Sequence, residues 1–194
     1  MYCLEKVYAF IKRKYMYFLY ERIRFPQWHL TPANERPYAA YLIRRINRMS
    51  LSGEVIELGC GLGDILSNLK VRDKEGYDID AKVIKAAKWA HPFLKVQVGS
   101  FDEVHGKKIS LLIAVNFLCS INDDILWACF NRLIFNNDID RIVVDDVPCP
   151  PYKYAHDYIY YFNSVGYALE FKSRGFEAVG GRRYLLFFKK RKPK

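Results

Sequence analysis

Residues 54–64, Glu-Val-Ile-Glu-Leu-Gly-Cys-Gly-Leu-Gly-Asp, constrain this chain more than any other stretch. Val55, Ile56 and Leu58 form the short apolar run that a strand buried on both faces requires. Gly59, Gly61 and Gly63 follow at alternate positions, and Ile65, Leu66 and Leu69 then fall at helical spacing. Strand, glycine turn and helix start in that order form a ligand-facing turn. The glycines accept positive φ and let a ligand approach the backbone, while the helix N-terminus behind them offers unpaired N–H groups. The spacing is Glu-x-Gly-x-Gly-x-Gly. It is not the Gly-x-Gly-x-x-Gly of dinucleotide-binding turns, because Asp64 stands where the last glycine would fall and would repel a pyrophosphate.

Strands and helices alternate after the turn. Glu75-Gly-Tyr-Asp-Ile-Asp closes a short second strand, and Asp80 caps a helix over 81–90. Lys95 to Val98 reads as a third strand, followed by Gly99-Ser-Phe-Asp. Ile109 to Val115 is an almost unbroken apolar run, as a central parallel strand demands, and it ends at Asn116-Phe-Leu-Cys-Ser-Ile-Asn. A helix over 123–135, a fifth strand over 141–145 and two closing strands over 167–171 and 184–189 complete seven strands.

The first stretch closely resembles the first motif of class I (Rossmann-like) S-adenosylmethionine (SAM)-dependent methyltransferases. There an acidic residue ends the first strand and the glycine turn passes under the methionine part of SAM. The resemblance in order and spacing covers roughly residues 50–190. It implies a three-layer α/β fold with a seven-stranded, mostly parallel sheet, its last strand antiparallel and inserted beside the fifth. It also implies SAM as cofactor. Glu57 becomes the acid, with Gly59, Cys60, Gly61 and Gly63 forming the turn; at Cys60 a small residue is needed rather than a reactive thiol. Asp78, at the end of the second strand, would accept both ribose hydroxyls, with Ile79 beside it. An acid commonly follows the third strand to bind the adenine amino group, and here Ser100 departs from that pattern. Either Asp102 reaches in, or Ser100 and backbone groups serve the base while Phe101 packs on its ring. Asn116 would face the methyl group at the carboxyl edge of the fourth strand, or simply end that strand.

The chain has 194 residues, which suits one domain, with residues 1–50 expected as a helical extension and lid and 51–194 as the SAM-binding unit. Apolar residues make up 51%, which excludes disorder; no uncharged apolar run is long enough to span a bilayer, and no secretory signal is visible. A cytoplasmic protein is expected. Cys3, Cys60, Cys119, Cys129 and Cys149 contain no Cys-x-x-Cys pair and the histidines are dispersed, so neither a disulfide framework nor a metal site is suggested.

The net charge of +10 is concentrated at the ends, since residues 1–24 and 172–194 are strongly basic while 25–171 are slightly acidic. Basic ends can meet phosphates of nucleic acid, lipid headgroups or a substrate. The apolar positions Leu4, Val7, Tyr8, Ile11, Tyr15, Phe18 and Leu19 predict an amphipathic helix over 3–24, flanked by Lys6, Lys12, Arg13, Lys14, Arg22 and Arg24. Packing on its own domain or on a second subunit, making a homodimer, is the favoured reading of it. The other is attachment to the inner face of an anionic membrane. Residues 26–38 hold three prolines and form either a substrate lid carrying Trp28, His29, Arg36 and Tyr38 or a connector anchored by Trp28. Val147-Pro-Cys-Pro-Pro-Tyr resembles the Asn-Pro-Pro-Tyr motif of methyltransferases that modify base amino groups. It comes one strand too late and reads as a rigid loop. The chain stops soon after its last strand, so no C-terminal domain is expected to choose a substrate.

Trp28-His-Leu-Thr-Pro, Arg36-Pro-Tyr and Tyr154-Ala-His-Asp are also similar to small methyltransferases of bacterial surface-polysaccharide biosynthesis. That likeness implies O-methylation of a sugar, or of a glycan or lipid-linked small acceptor. A hydroxyl acceptor needs a base, and the candidates are His156, oriented across the loop by Asp146, or His29 in the lid. A nucleic-acid methyltransferase and a methyltransferase-like binding subunit without catalysis remain the alternatives.

Overall fold

The computed structural model describes residues 2–192, without the side chains of residues 2–10, 12 and 13. Its centre is a mixed sheet built from β1 (Glu54–Leu58), β2 (Lys74–Asp78), β3 (Lys95–Val98), β4 (Lys108–Ala114), β6 (Arg141–Asp146), β7 (Tyr167–Lys172) and β9 (Gly181–Lys190), in the spatial order β3-β2-β1-β4-β6-β9-β7. The strands up to β6 run parallel, whereas β9 lies between β6 and β7 and is antiparallel to both. This is the expected seven-stranded arrangement. Two short strands escaped sequence reading, β5 (Asp138–Ile139) beside β4 and β8 (Phe176–Ala178) beside β9.

Side chains alternate between the two faces of the sheet, and each face is covered. On one, Ile56, Leu112, Val144 and Phe188 pack against Leu126, Phe130 and Leu133 of α5 (Asp123–Asn136) and Tyr161 and Phe162 of α6 (Tyr158–Ser164). On the other, Val55, Leu111, Ile113, Val143 and Phe187 pack against Leu42 and Ile46 of α2 (Pro37–Ile46), Leu66 of α3 (Asp64–Ser67) and Ile84 of α4 (Ala81–Ala90). Helix α2 is therefore a layer of the core on this face. Truncating a fully buried leucine such as Leu42 costs ~2–5 kcal/mol and would loosen the segment that carries Arg36 and Tyr38.

Of the stripe expected on helix α1 (Tyr2–Ile23), Leu19 is buried among the described side chains, whereas Ile11, Tyr15 and Phe18 are not. Met16 and Leu19, with Phe25 after the helix, pack on Leu62, Val83 and Ala86, and the Tyr15 hydroxyl donates to the Trp89 carbonyl at 3.2 Å. The second half of α1 thus lies on α4, while Ile11, Tyr15 and Phe18 stay exposed. Apolar residues encircle this helix, so spacing alone could not select the buried stripe. Among its expected features, the side chains of Leu4, Val7, Tyr8, Lys6, Lys12 and Arg13 lie outside the described residues, as do Pro193 and Lys194 at the other end.

Candidate functional site

The carboxyl ends of β1, β2 and β4 open on a cleft of about 490 Å³, roofed by the segment before α2. Its floor is the glycine turn. Gly59, Gly61 and Gly63 have φ of 63°, 55° and 76°, the left-handed region that side chains resist. A Cβ on Gly61 would come within 2.8 Å of His29 Nδ1, so the lid histidine lies directly over this glycine. Cys60 is buried beside it, where desolvation pushes its thiol pKa well up; it acts as a small apolar residue.

Glu57 ends β1 and is only 2% exposed, yet it lines the cleft. Burial, opposed chiefly by the Arg36 charge, raises its pKa well above the carboxylate range. Its Oε2 and the Nε of Arg36, which also lines the cleft, are both buried without a hydrogen-bond partner among the described residues. The protein thus holds an unmet acceptor and an unmet donor in one pocket, a pair that a zwitterion would satisfy. Asp78 Oδ2 accepts the Gly61 N–H at 2.9 Å and its Oδ1 the Asp80 N–H at 3.0 Å, which fixes the carboxylate while leaving each oxygen a second lone pair toward the cleft. Asp80 caps α4 through the Lys82 and Val83 N–H groups, as its position predicts. Ile79, 77% exposed, forms the rim.

The adenine side differs from expectation at two residues. Gly99 and Ser100 line the cleft, but Asp102 turns outward to Arg132 at 2.9 Å, and the Ser100 N–H donates to Glu103 at 2.6 Å. Phe101 is buried in the core, edge-on to Phe130 at 5.2 Å, so its ring cannot pack on a base in the cleft. Phe117 lines the cleft in its stead, and sits so close to Gly59 that a Cβ there would meet its ring at 2.6 Å.

Asn116 lines the cleft at the end of β4, in the left-handed region with φ 71°. Its N–H donates to Asp145 Oδ1 at 2.8 Å and its Oδ1 accepts from Arg183 Nη1 at 2.7 Å. Arg183, on β9, is buried against Asp145 at 3.4 Å, with its Nη2 on the Tyr152 hydroxyl at 3.3 Å and its guanidinium 4.2 Å above the Tyr38 ring. Sequence reading did not single out Arg183. The available signal was a charge at Arg183 in the same inward row as the apolar Leu185 and Phe187.

The expected base His156 is displaced from the cleft. Its Nδ1 meets Asp123 Oδ1 at 2.5 Å and its Nε2 the Leu118 carbonyl at 3.0 Å, and its side chain is 1% exposed. Both nitrogens are engaged inside the protein and the ring does not line the cleft, so it is not placed to take a proton from a substrate there. Asp146 does not orient it. That carboxylate, its pKa raised by burial, faces Lys172 at 3.9 Å and does not line the cleft either. His29 does line it, stacked on Trp28 at 3.5 Å. Burial, helped by Arg36 and opposed by Asp78, lowers its pKa to about 4, so it is neutral at pH 7.

No protein-family model matches the sequence, and no curated protein does. Solved structures do match in shape. The chain is similar to the magnesium protoporphyrin IX methyltransferase of Synechocystis with bound SAM, at 16% identity and TM-score 0.64 over 93% of this chain and 95% of that one. The chain has the class I methyltransferase fold. A TehB-like SAM-dependent methyltransferase from Corynebacterium glutamicum shares the fold at 21% identity and TM-score 0.58 over 79% of this chain and 87% of that one. So does the small RNA methyltransferase HEN1, at 13% identity and TM-score 0.59 over 82% of this chain and 25% of that one. Neighbours so different in what their names say they act on share this fold, and the likeness does not select an acceptor.

Proposed function

We propose that this chain is a SAM-dependent methyltransferase acting on an oxygen of a small acceptor. The observation that carries the reading is the pair of unmet buried groups, Glu57 Oε2 and Arg36 Nε, beside the glycine turn. Glu57 suits an α-ammonium and Arg36 an α-carboxylate, the two charges of a methionine end, while Asp78 suits the ribose hydroxyls. Ile79, Gly99, Ser100 and Phe117 surround the space left for an adenine ring. SAM supplies a methyl carbon already activated by its bond to a positive sulfur. The chain's own part is to position: Gly61 keeps the floor free of side chain, Trp28 and His29 cover the cleft from water, and Asn116 sits where an acceptor would enter.

The likeness of residues 28–32, 36–38 and 154–157 to enzymes of surface-polysaccharide biosynthesis supports a glycan or lipid-linked acceptor. The basic ends support work beside an anionic membrane. Those same ends support a second reading, an RNA or DNA methyltransferase, which a gel-shift assay separates because such binding weakens steeply with salt. Calorimetry with SAM tests the first reading directly. Saturable binding that is lost in Glu57→Gln or Arg36→Met is expected, and a folded protein that ignores millimolar SAM would refute it.

A further inference from the structure

On the side of the cleft that holds Asn116 and Tyr38, two arginines decide what the wall presents. Arg183 Nη1 donates to Asn116 Oδ1 at 2.7 Å, and Arg36 Nη1 donates to the Tyr38 hydroxyl oxygen at 3.4 Å. A guanidinium has donors only, so whatever it meets must accept. The Asn116 amide is thereby turned with its oxygen to Arg183 and its NH₂ away, and the Tyr38 oxygen, already accepting, keeps its own hydrogen for another partner. Neither can easily reverse. Arg183 is held by Asp145, Tyr152 and the Tyr38 ring, and the Asn116 backbone is pinned by Asp145. Asn116 Nδ2 makes no hydrogen bond among the described residues, and both Asn116 and Tyr38 line the cleft. This wall offers hydrogen-bond donors.

It offers no proton acceptor of any strength. His156, Asp145 and Asp146 do not line the cleft. Its carboxylates, Glu57, Asp64, Asp78 and Asp80, come from the turns that follow β1 and β2 or the ends of those strands, and His29 lies over the glycine turn.

We propose that the acceptor atom is a carboxylate oxygen, held by Asn116 Nδ2 and the Tyr38 hydroxyl, and that Arg183 is the positioning residue that sets the Asn116 amide. The proposal rests on the SAM reading. An amine would bring donors against donors, and a hydroxyl would need a base that this wall lacks, whereas a carboxylate is already ionised at neutral pH. The carboxylate oxygen gains the methyl carbon, the electron pair of the carbon–sulfur bond stays on sulfur, and a methyl ester and a neutral thioether result. No proton has to be removed.

Two calorimetric titrations test this. The first compares S-adenosylhomocysteine with sinefungin, in which an amine-bearing carbon replaces the methylated sulfur and directs an ammonium along the transfer line. Asn116→Ala removes a donor that faces that ammonium, so the affinity for sinefungin relative to S-adenosylhomocysteine should rise about threefold or more. A fall in that ratio would mean that the amide oxygen faces the acceptor, and overturns the proposal. The double variant Arg183→Met/Asp145→Asn, which leaves no lone buried charge, should move the ratio the same way by freeing the amide to turn. An unchanged ratio removes Arg183 from the role. In the second titration, benzoate added to the protein saturated with S-adenosylhomocysteine should bind in the millimolar range and more weakly to Tyr38→Phe, and benzylamine should not bind. Silence of benzoate, or binding of benzylamine in its place, overturns the carboxylate assignment while S-adenosylhomocysteine still binds. Failure of S-adenosylhomocysteine itself overturns the cofactor reading and this inference together.

Discussion

The two ends of the cleft are built in opposite ways. The end at the glycine turn comes from nearly consecutive residues, Glu57 to Asp80, whose backbone does most of the work: positive φ at the glycines, and N–H groups that tie Asp78 and Asp80 in place. The end at Asn116 is assembled from Tyr38, Asn116, Asp145, Tyr152 and Arg183, which meet only in the folded state and are held by side chains around one buried ion pair. A local site tolerates change through loss of ligand. A site assembled from distant segments fails through loss of fold, because Tyr38, Asp145 and Arg183 are also buried parts of the interior.

The largest effect should therefore fall on the assembled end. Arg183→Met leaves the Asp145 carboxylate buried without its partner and should cost ~3–5 kcal/mol in urea unfolding, most of it recovered when Asp145→Asn is added. A single variant as stable as the wild type would erase the contrast between the two ends. At the local end the order of effects reverses. Gly61→Val forces a branched residue to φ 55° and a Cβ against His29, and should weaken SAM about a hundredfold, or ~2.7 kcal/mol, with secondary structure by circular dichroism retained. Wild-type affinity in that folded variant would show that the turn does not face a ligand.

His29 sharpens the comparison from the lid. Its folded pKa of about 4 lies below the ordinary 6.5, so the folded state holds its proton less tightly than the open one. The stabilisation is full above pH 6.5 and is lost as pH falls toward 4, by about 2 kcal/mol at pH 5. Trp28 fluorescence, which reports the ring stacked on His29, should change over that window in the wild type and not in His29→Asn. The smallest effect belongs to Asp78→Asn, which keeps one acceptor for Gly61 and loses the charge; SAM should weaken by ~1.5 kcal/mol, and no change would remove Asp78 from the ribose site.

The same contrast explains what could be read from the sequence. Spacing reported the strands, the glycine turn and the Asp80 cap, because each depends on neighbours within one or two turns of chain. Phe101 follows a strand end and is expected on the base, and only the packing of α5 shows that the core takes its ring and leaves Phe117 to line the cleft. His156 has the look of a base near a convenient carboxylate, yet its partner, Asp123, lies 33 residues earlier at the start of α5. The α1 stripe is met at Leu19 and missed at Ile11, Tyr15 and Phe18 for the opposite reason, since the helix offers more apolar faces than α4 can cover. Arg183 gave a faint signal, a charge in an inward register, whose meaning depended on Asp145 lying on the neighbouring strand.

The position of β9 sets an order of events during synthesis. Residues 54–80 leave the ribosome together and include the whole glycine turn with Asp78, whereas Arg183 follows Asn116 by 67 residues. Until β9 inserts between β6 and β7, Asp145 has no cation beside it and Asn116 has nothing to turn its amide. The nascent chain therefore carries the whole glycine turn well before it carries the wall built around Arg183.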